Sequence, residues 1–231
     1  MNHPNHRPDI EQEDKRESCK WFSQDIKRLL CANSIVIDIG ANKGQWAVDL
    51  LQIMAISRIY SIEPVPEAFY ALRHKSITFP QIKPINVAIS KESVKVPFFV
   101  TESDVGSSLL KPIDGQPSKW LTIKQNIMVD AVRLDEFILN EGLEGSPIDL
   151  VKIDTQGADQ IVLESAGIFL SPRQIRAVLV EVSFVDFYHN QSRYPEIIAM
   201  LDAKGYRLAR IYPWRAHDEW LWWADLLFIG R

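Results

Sequence analysis

Short runs of β-branched and other apolar residues alternate with longer amphipathic stretches along most of this chain. Apolar runs of this kind are typical of strands buried on both faces, and the stretches between them have apolar residues at helical spacing. The runs predicted as strands are SIVIDI, RIYSI, PINVAI, DLVKI, AVLVEV and LLFI, and the main predicted helices are KGQWAVDLLQIM, PEAFYALRHK, GADQIVLESA and YPEIIAMLDAKG. This alternation predicts an α/β fold with a mostly parallel sheet.

Two further features interrupt the alternation. Residues 94–100 and 127–132 are predicted as extra strands, and residues 101–124 between them as a long loop. Loops of that length within compact domains usually carry a function or are mobile. Near the end of the chain, residues 206–212 and 224–229 predict an antiparallel hairpin that closes the sheet.

The chain is predicted to consist of an N-terminal tail followed by one folded domain. Residues 1–20 are polar and rich in turn formers, so we expect a flexible N-terminal tail there. Residues 21–30 have apolar side chains at helical spacing and predict a lead-in helix. The remaining length, residues 21–231, is that of one α/β domain.

Charge and composition exclude several classes of partner. The formal net charge of −4 gives no basic surface for nucleic acid. No apolar stretch approaches the roughly 18 residues of a membrane span, and the N-terminus lacks the apolar core of a signal peptide. We therefore expect a cytoplasmic protein without a membrane or nucleic-acid partner. The cysteines Cys19 and Cys31 match neither a zinc spacing nor a disulfide framework, so reduced thiols are expected.

The segment SIVIDIGANKGQW runs from a buried strand through a glycine-containing turn into a helix. At this edge of a parallel sheet, Gly40 and Gly44 would let the backbone approach a ligand, and free helix N–H groups attract an anionic group. Asp38 is an acid inside the apolar strand, so its burial requires a partner, either a ligand ammonium or the N–H groups of the turn. The turn lacks both the G-x-G-x-x-G dinucleotide fingerprint and the Lys-Ser/Thr ending of a P-loop.

Glu63 ends the second predicted strand, about 20 residues beyond Gly44. A carboxylate at that distance accepts the ribose hydroxyls of a nucleoside in α/β folds. Together with Asp38 and the two glycines, it suits an amino acid joined to adenosine through a cationic centre, which is S-adenosylmethionine (SAM). A nicotinamide-dependent oxidoreductase is the alternative on such a sheet, and the glycine spacing disfavours it.

Over about residues 35–228 the chain resembles the FkbM family of SAM-dependent methyltransferases. The resemblance rests on the motifs VIDIGANKGQW, SIEPVPEAFYAL, NVAIS, GSSLL, VRLDEFI and DLVKIDTQGADQIVLESA. It implies a class I SAM-methyltransferase (Rossmann-like) sheet of seven strands in the order 3-2-1-4-5-7-6, with strand 7 antiparallel and helices on both faces. It also implies transfer of the SAM methyl group to a hydroxyl of a sugar, glycan or natural product.

The resemblance further implies which residues bind the cofactor. The expected SAM-binding residues are Asp38, Gly40, Asn42, Gly44, Glu63, Asn86 and Ala88. The first four would hold the methionine half and Glu63 the ribose, while Asn86 and Ala88 would border the adenine. For Asn86, a simple turn-forming role is the alternative.

Candidate catalytic residues follow the fourth and fifth strands. Asp154 and Glu181 interrupt buried apolar runs at the edge where the methyl acceptor is expected. A hydroxyl acceptor must lose its proton, either to a side chain or through a divalent cation that lowers its pKa. Asp154, Glu181 and Asp186 are therefore candidate Mg²⁺ ligands, as similar acids are in some other methyltransferases of this fold. His189 is the competing general base, or a surface histidine.

Acceptor recognition is expected from the irregular segments. Ser107 and Ser108 would bind a polyol or cap a turn, and Trp214 begins a tryptophan-rich stretch that suits a sugar, a flat ring or a homodimer surface. Gln156 occupies a position where the family commonly has Glu; it keeps the hydrogen bonding but cannot take a proton. Either Gln156 positions an acceptor group, or the chain is a catalytically altered SAM-binding protein.

Overall fold

The computed structural model describes residues 23–114, 119–217 and 220–231. Its elements, in chain order, are α1 (residues 23–29), β1 (Ile35–Ile39), α2 (Gln45–Ile53), β2 (Arg58–Ile62), α3 (Pro66–Thr78), β3 (Ile82–Ile85), β4 (Ala88–Ile89), β5 (Lys95–Thr101), β6 (Ile123–Val132), α4 (Leu134–Asn140), β7 (Leu150–Ile153), α5 (Asp159–Ser165), β8 (Ala177–Ser183), α6 (Tyr194–Ala203), β9 (Tyr206–His217) and β10 (Trp220–Gly230). Short 3₁₀ turns cover Lys119–Leu121 and Gly167–Phe169.

Seven strands form the central sheet, in the order β3-β2-β1-β7-β8-β10-β9. The first five are mutually parallel, whereas β10 runs antiparallel to both β8 and β9. These labels differ from the expected 3-2-1-4-5-7-6 because β4, β5 and β6 intervene along the chain and belong to a separate three-stranded sheet. Numbered within the central sheet alone, the seven strands follow 3-2-1-4-5-7-6, with the seventh antiparallel.

Helices cover both faces of the central sheet, as predicted. Val36 of β1 packs among residues of α1, α2 and α3, and the next residue, Ile37, packs among residues of α4, α5 and α6. Because successive side chains of a strand point to opposite faces, a strand covered on both sides must be apolar at nearly every position. This explains why continuous apolar runs identified these strands correctly.

The extra strands between β3 and β7 are confirmed and form the three-stranded sheet β4-β6-β5. The predicted strand PINVAI was wrong as one strand, because β3 ends at Ile85 and Ala88–Ile89 pair with β6 instead. The chain leaves the central sheet at Asn86, whose side-chain Nδ2 donates to the carbonyl oxygens of Glu63 and Pro64 at 2.9 and 3.1 Å. These bonds hold the crossing point against the end of β2.

The C-terminal hairpin is longer than predicted. β9 extends to His217 and β10 begins at Trp220, so most of the expected irregular connection is strand. Helix α4 was not predicted, since its seven residues are too few for a clear periodic signal.

The predicted tail, with Cys19, lies outside the described residues, and Cys31 is an exposed free thiol. Within the described ranges, no helix has both the length and the apolar character needed to cross a membrane.

Candidate functional site

The turn between β1 and α2 lies at the carboxyl edge of the central sheet. The amides of Gly40 and Ala41 both donate to the Ile62 carbonyl oxygen at 3.0 Å, which joins the ends of β1 and β2. Gly40 has φ +79°, and a Cβ there would lie 1.9 Å from the carbonyl oxygen of Asp154. A Cβ on Gly44 would lie 2.5 Å from Leu72 Cδ1. Contacts within the protein therefore explain why glycine is needed at both positions, whether or not a bound ligand also requires it.

Asp38 is fully buried beside a buried lysine that the sequence analysis missed. Lys152 of β7 lies opposite Asp38 in the strand register, and its Nζ is 3.3 Å from Asp38 Oδ1 and 3.3 Å from Asp154 Oδ2. The same Nζ lies 5.7 Å from the centre of the Trp46 ring. Apart from this salt bridge, neither oxygen of Asp38 has a hydrogen-bond partner among the described residues. One cation thus bridges the two acids, and Asp38 retains hydrogen-bonding capacity.

Burial sets the protonation of this pair. It raises the pKa of Asp38 above its ordinary value, and Lys152 opposes that rise. For Lys152, burial alone would lower the pKa, but the carboxylates of Asp154, Asp38 and Asp225 outweigh it and raise the pKa. These carboxylates therefore favour the charged form of Lys152, which lies between the ends of β1 and β7.

Glu63 connects the loops after β1 and β2. Its Oε2 accepts the amide of Asn42 and its Oε1 the amide of Val65, each at 2.8 Å. Burial raises the pKa of Glu63 to about 7, although these two hydrogen bonds oppose the rise. Asp38 and Asp154 lie close enough to add to it. The structure therefore brings Asp38 and Glu63 together at one edge, as predicted.

Asn42 links this edge to the segment after β5. It adopts a left-handed conformation with φ 48°, and its Nδ2 donates to the Asp104 carbonyl oxygen at 2.9 Å. Lys43 forms a salt bridge of 2.6 Å with the Asp104 carboxylate. The Oδ1 of Asn42 is buried without a hydrogen-bond partner among the described residues. Part of the predicted long loop thus packs on the turn after β1.

The two expected adenine-bordering residues have contacts within the protein. The amide nitrogen of Asn86 donates to backbone carbonyls of the β2–α3 loop, as a turn-stabilising residue would. Ala88 is buried in β4, in a small core with Phe98, Val100 and Val129. A role in binding adenine stays a prediction for both.

Gln156 joins the two predicted catalytic acids. Its Nε2 donates to Asp154 Oδ1 at 2.8 Å and to Glu181 Oε1 at 2.9 Å. Its Oε1 lies 3.3 Å from the Tyr188 hydroxyl, which also donates to the Gly106 carbonyl oxygen at 2.9 Å. Both amide hydrogens are therefore used on acids, so Gln156 holds Asp154 and Glu181 together, and its contact with the acceptor stays a prediction.

A third acid, Asp225, was missed by the sequence analysis. It lies opposite Glu181 in the register of β10 and β8. Burial raises the pKa of Glu181 well above its ordinary value, and the carboxylates of Asp154 and Asp225 add to the rise. Burial and Asp154 raise the pKa of Asp225 to about 6. Lys152 and Asp225 both interrupt apolar strands, so the argument that identified Asp38 applied equally to them.

The two predicted serines stabilise the segment after β5. Ser107 Oγ accepts the amide of Thr101 at 3.1 Å. Ser108 is buried, and its Oγ donates to the Gln156 carbonyl oxygen at 2.8 Å while accepting the Leu110 amide at 3.0 Å. These are the turn-forming contacts that were the alternative to acceptor binding, and acceptor contact stays a prediction.

His189 and Asp186 lie on the surface of the segment after β8. His189 is exposed, its backbone amide donates to the Lys111 carbonyl oxygen, and its side chain interacts electrostatically with Asp114. Asp186 is also exposed. In residues 23–114, 119–217 and 220–231, no three His, Cys, Asp or Glu side chains are grouped to hold a metal ion. The expected Mg²⁺ ligand set of Asp154, Glu181 and Asp186 is thus not assembled.

Aromatic side chains pack together around Phe187, in the segment after β8. Phe187 lies between three indoles, with ring-centre distances of 5.3 Å to Trp120, 5.6 Å to Trp222 and 6.1 Å to Trp223. Most of the tryptophan-rich stretch lies on β10, next to the position of Asp225. The backbone of Trp214 is part of β9, but its side chain lies outside the described residues.

A parallel sheet with this strand order, an antiparallel seventh strand and acids around a glycine turn defines the class I methyltransferase fold. The family model of the methyltransferase FkbM domain matches residues 38–208, and the chain belongs to this family.

Three relatives illustrate the similarity. The chain is 27% identical over 192 residues to 2-O-methyltransferase NoeI of Sinorhizobium fredii (strain NBRC 101917 / NGR234), with 80% of this chain and 77% of that protein covered. It matches a methyltransferase FkbM structure from Methylobacillus flagellatus KT with a TM-score of 0.57 and 14% identity, over 92% of this chain and 50% of that one. This chain therefore spans half the length of that protein.

The third relative is magnesium protoporphyrin IX methyltransferase (ChlM) of Synechocystis PCC 6803, solved with bound S-adenosylhomocysteine (SAH). Its structure matches with a TM-score of 0.52 and 10% identity, over 94% of this chain and 82% of that one. At these identities, the two solved structures support the fold alone.

Proposed function

We propose that this chain is a SAM-dependent methyltransferase that acts on a hydroxyl oxygen of a sugar, glycan or natural product. Membership of the FkbM family supports methyl transfer, and the name of the NoeI relative supports oxygen as the acceptor atom. The observation that carries the proposal is Asp38, which is 0% exposed and, apart from its salt bridge to Lys152, has no hydrogen-bond partner on either oxygen among the described residues. A ligand ammonium, directly or through water, would supply one.

Other atoms at the same edge fit this cofactor. Ser61 Oγ and Asn42 Oδ1 are also buried without hydrogen-bond partners among the described residues, and both lie near the ends of β1 and β2. Each oxygen of Glu63 accepts one backbone N–H and keeps a further lone pair for a ribose hydroxyl. When bound, SAM supplies an electrophilic methyl group on a sulfonium sulfur.

The acids at the ends of β7 and β8 supply the groups that an acceptor hydroxyl needs. Asp154 and Glu181 are partly accessible, and Gln156 holds one oxygen of each. Because the pKa of Glu181 is raised, its carboxylate is a stronger base than an ordinary glutamate and suits receipt of the hydroxyl proton. Holding the hydroxyl in line supplies much of the rate, since effective molarities reach about 10⁵ M or more. We expect the reaction in the cytoplasm, on a small-molecule or glycan acceptor.

Calorimetric titration with SAH tests cofactor binding. We expect the wild-type chain to bind SAH and Asp38→Asn to bind at least about tenfold more weakly, a loss of about 1.4 kcal/mol. Asp130→Asn, which alters an exposed acid on β6, is the matched control and should bind as wild type. Binding of NADH without binding of SAH would favour the oxidoreductase alternative and contradict the proposal.

Transfer itself is tested with labelled SAM and a panel of methyl glycosides and polyols, with and without chelator. Labelled product supports an O-methyltransferase, and its loss with chelator would show that a divalent cation takes part. SAH binding without transfer to any acceptor, including a metabolite and glycan extract, would favour a SAM-binding protein with altered catalysis.

A further inference from the structure

The hydroxyl of Tyr188 lies where three segments of the catalytic edge meet. It is 2.9 Å from the Gly106 carbonyl oxygen, after β5, and 3.3 Å from Oε1 of Gln156, after β7. Both neighbours can only accept, so they share the single hydroxyl proton, with the shorter contact to Gly106. Tyr188 is 2% exposed, and water therefore competes little for this proton.

The amide of Gln156 has one orientation that satisfies its neighbours. With both hydrogens on Asp154 and Glu181, its oxygen points to the Tyr188 hydroxyl. A half rotation of the amide would place that oxygen against two carboxylates, which also only accept hydrogen bonds. The hydroxyl, whose proton is shared with the Gly106 carbonyl oxygen, is thus the donor that faces the oxygen end of the amide.

The surroundings of both side chains are themselves fixed. Gln156 has a left-handed backbone with φ 53°, and its carbonyl oxygen accepts the hydroxyl of buried Ser108 at 2.8 Å. Non-glycine residues keep such a conformation only where neighbouring contacts hold it. The backbone amide of Tyr188 donates to Gln191 Oε1 at 3.1 Å, and a Cβ at Gly106 would lie 2.6 Å from the Trp120 carbonyl oxygen. The hydroxyl therefore connects two anchored segments.

We propose that Tyr188 is a positioning residue for methyl transfer, which fixes the carboxylates of Asp154 and Glu181 through the side-chain amide of Gln156. This inference rests on the proposed methyltransferase function. Tyr188 acts on the amide, and the two acids act on the acceptor hydroxyl. Small displacements of such groups are costly to catalysis, because in-line attack tolerates little error in position. Gln156 is then a neutral clamp between two acids, and its inability to take a proton suits that role.

Nuclear magnetic resonance tests the contact without any methyl acceptor. In protein labelled with ¹⁵N-glutamine, the side-chain signals of Gln156 are identified by their absence from Gln156→Ala. We expect Tyr188→Phe to shift or broaden these signals. The matched control is Tyr206→Phe, which removes another buried tyrosine–carbonyl hydrogen bond, 2.8 Å long, to Ile175. Unchanged Gln156 signals in folded Tyr188→Phe would overturn the proposal, whether or not the chain transfers methyl groups.

A double-mutant cycle tests the effect on turnover with any acceptor that the glycoside panel identifies. Tyr188→Phe should lower kcat about tenfold and leave the KM for SAM and the Kd for SAH unchanged. In the Gln156→Ala background the same substitution should change kcat by less than about twofold, because the amide through which it acts is gone. Equal losses in both backgrounds, or a change confined to KM, would contradict positioning through Gln156. Tyr206→Phe should leave kcat unchanged.

Discussion

Glu63 is the residue whose substitution tests the electrostatics of this edge most directly. Its carboxylate is buried between the loops after β1 and β2, where two backbone amides donate to it. Burial nevertheless dominates and raises its pKa from 4.5 to about 7. Glu63→Gln keeps the size of the side chain and remains uncharged at every pH, so it removes this titration from the folding equilibrium.

The sign of the effect follows from which state holds the proton. Between pH 4.5 and about pH 7, folded Glu63 retains a proton that the unfolded chain has released. Protonation therefore favours the folded state fully below about pH 4.5, and this advantage is lost as the pH rises through about 7. A difference of about 2.5 pKa units corresponds to about 3 kcal/mol in the free energy of unfolding.

Urea unfolding of both proteins at several pH values measures this quantity. The stability of the wild type relative to Glu63→Gln should fall by about 3 kcal/mol between pH 4.5 and pH 8. The glutamine also offers one backbone amide a donor instead of an acceptor, which adds an offset of about 1–3 kcal/mol that does not vary with pH. Glu67→Gln, at an exposed acid, is the control substitution. If the difference in the free energy of unfolding between wild type and Glu63→Gln does not vary with pH, the pKa of Glu63 is not raised in the folded state.

Two further substitutions test the packing around the site. Gly40→Ala should lower the free energy of unfolding by about 2–5 kcal/mol, because its Cβ would clash with the Asp154 carbonyl oxygen on a left-handed backbone. Gly142 is the matched control, since it has a left-handed backbone and no atom lies within 4 Å of an added Cβ; Gly142→Ala should lower the free energy of unfolding by about 1–2 kcal/mol. Equal losses for the two variants on urea unfolding would contradict a clash at Gly40. Lys152→Met should cost roughly 3–5 kcal/mol at pH 8, since Asp38 and Asp154 lose their shared cation, and wild-type stability would contradict this.

The sequence was most informative where a polar residue interrupts an apolar strand. Burial of an acid needs compensation, and this local signal identified Asp38, Asp154 and Glu181, which the structure places at one edge. The same signal was present at Lys152 and Asp225. They were overlooked because a single lysine or aspartate in a strand also fits a solvent-facing position, and the partner of each lies on a different strand.

Contacts between distant segments could not be predicted. Gly40 is required by a backbone atom of Asp154, more than a hundred positions later in the chain, and nothing near Gly40 in the sequence records that contact. The two hydrogen bonds that the side-chain amide of Gln156 donates to Asp154 and Glu181 likewise join distant parts of the chain, and nothing near Gln156 in the sequence indicated them. Sequence periodicity indicates which face of an element is buried, but not which side chain meets it there.

The segment that follows β5 has a consequence for the evolution and engineering of this chain. Three hydrogen bonds connect this segment to the rest of the site. The Asp104 carbonyl oxygen accepts from Asn42 in the turn after β1, and the Gly106 carbonyl oxygen accepts from the Tyr188 hydroxyl. The Ser108 hydroxyl donates to the Gln156 carbonyl oxygen. A single insertion outside the central sheet thus touches both residues that we propose to bind SAM and residues that we propose to act on the acceptor. Grafting this segment between relatives offers a route to new acceptor preferences, provided that the three contacts are transplanted together.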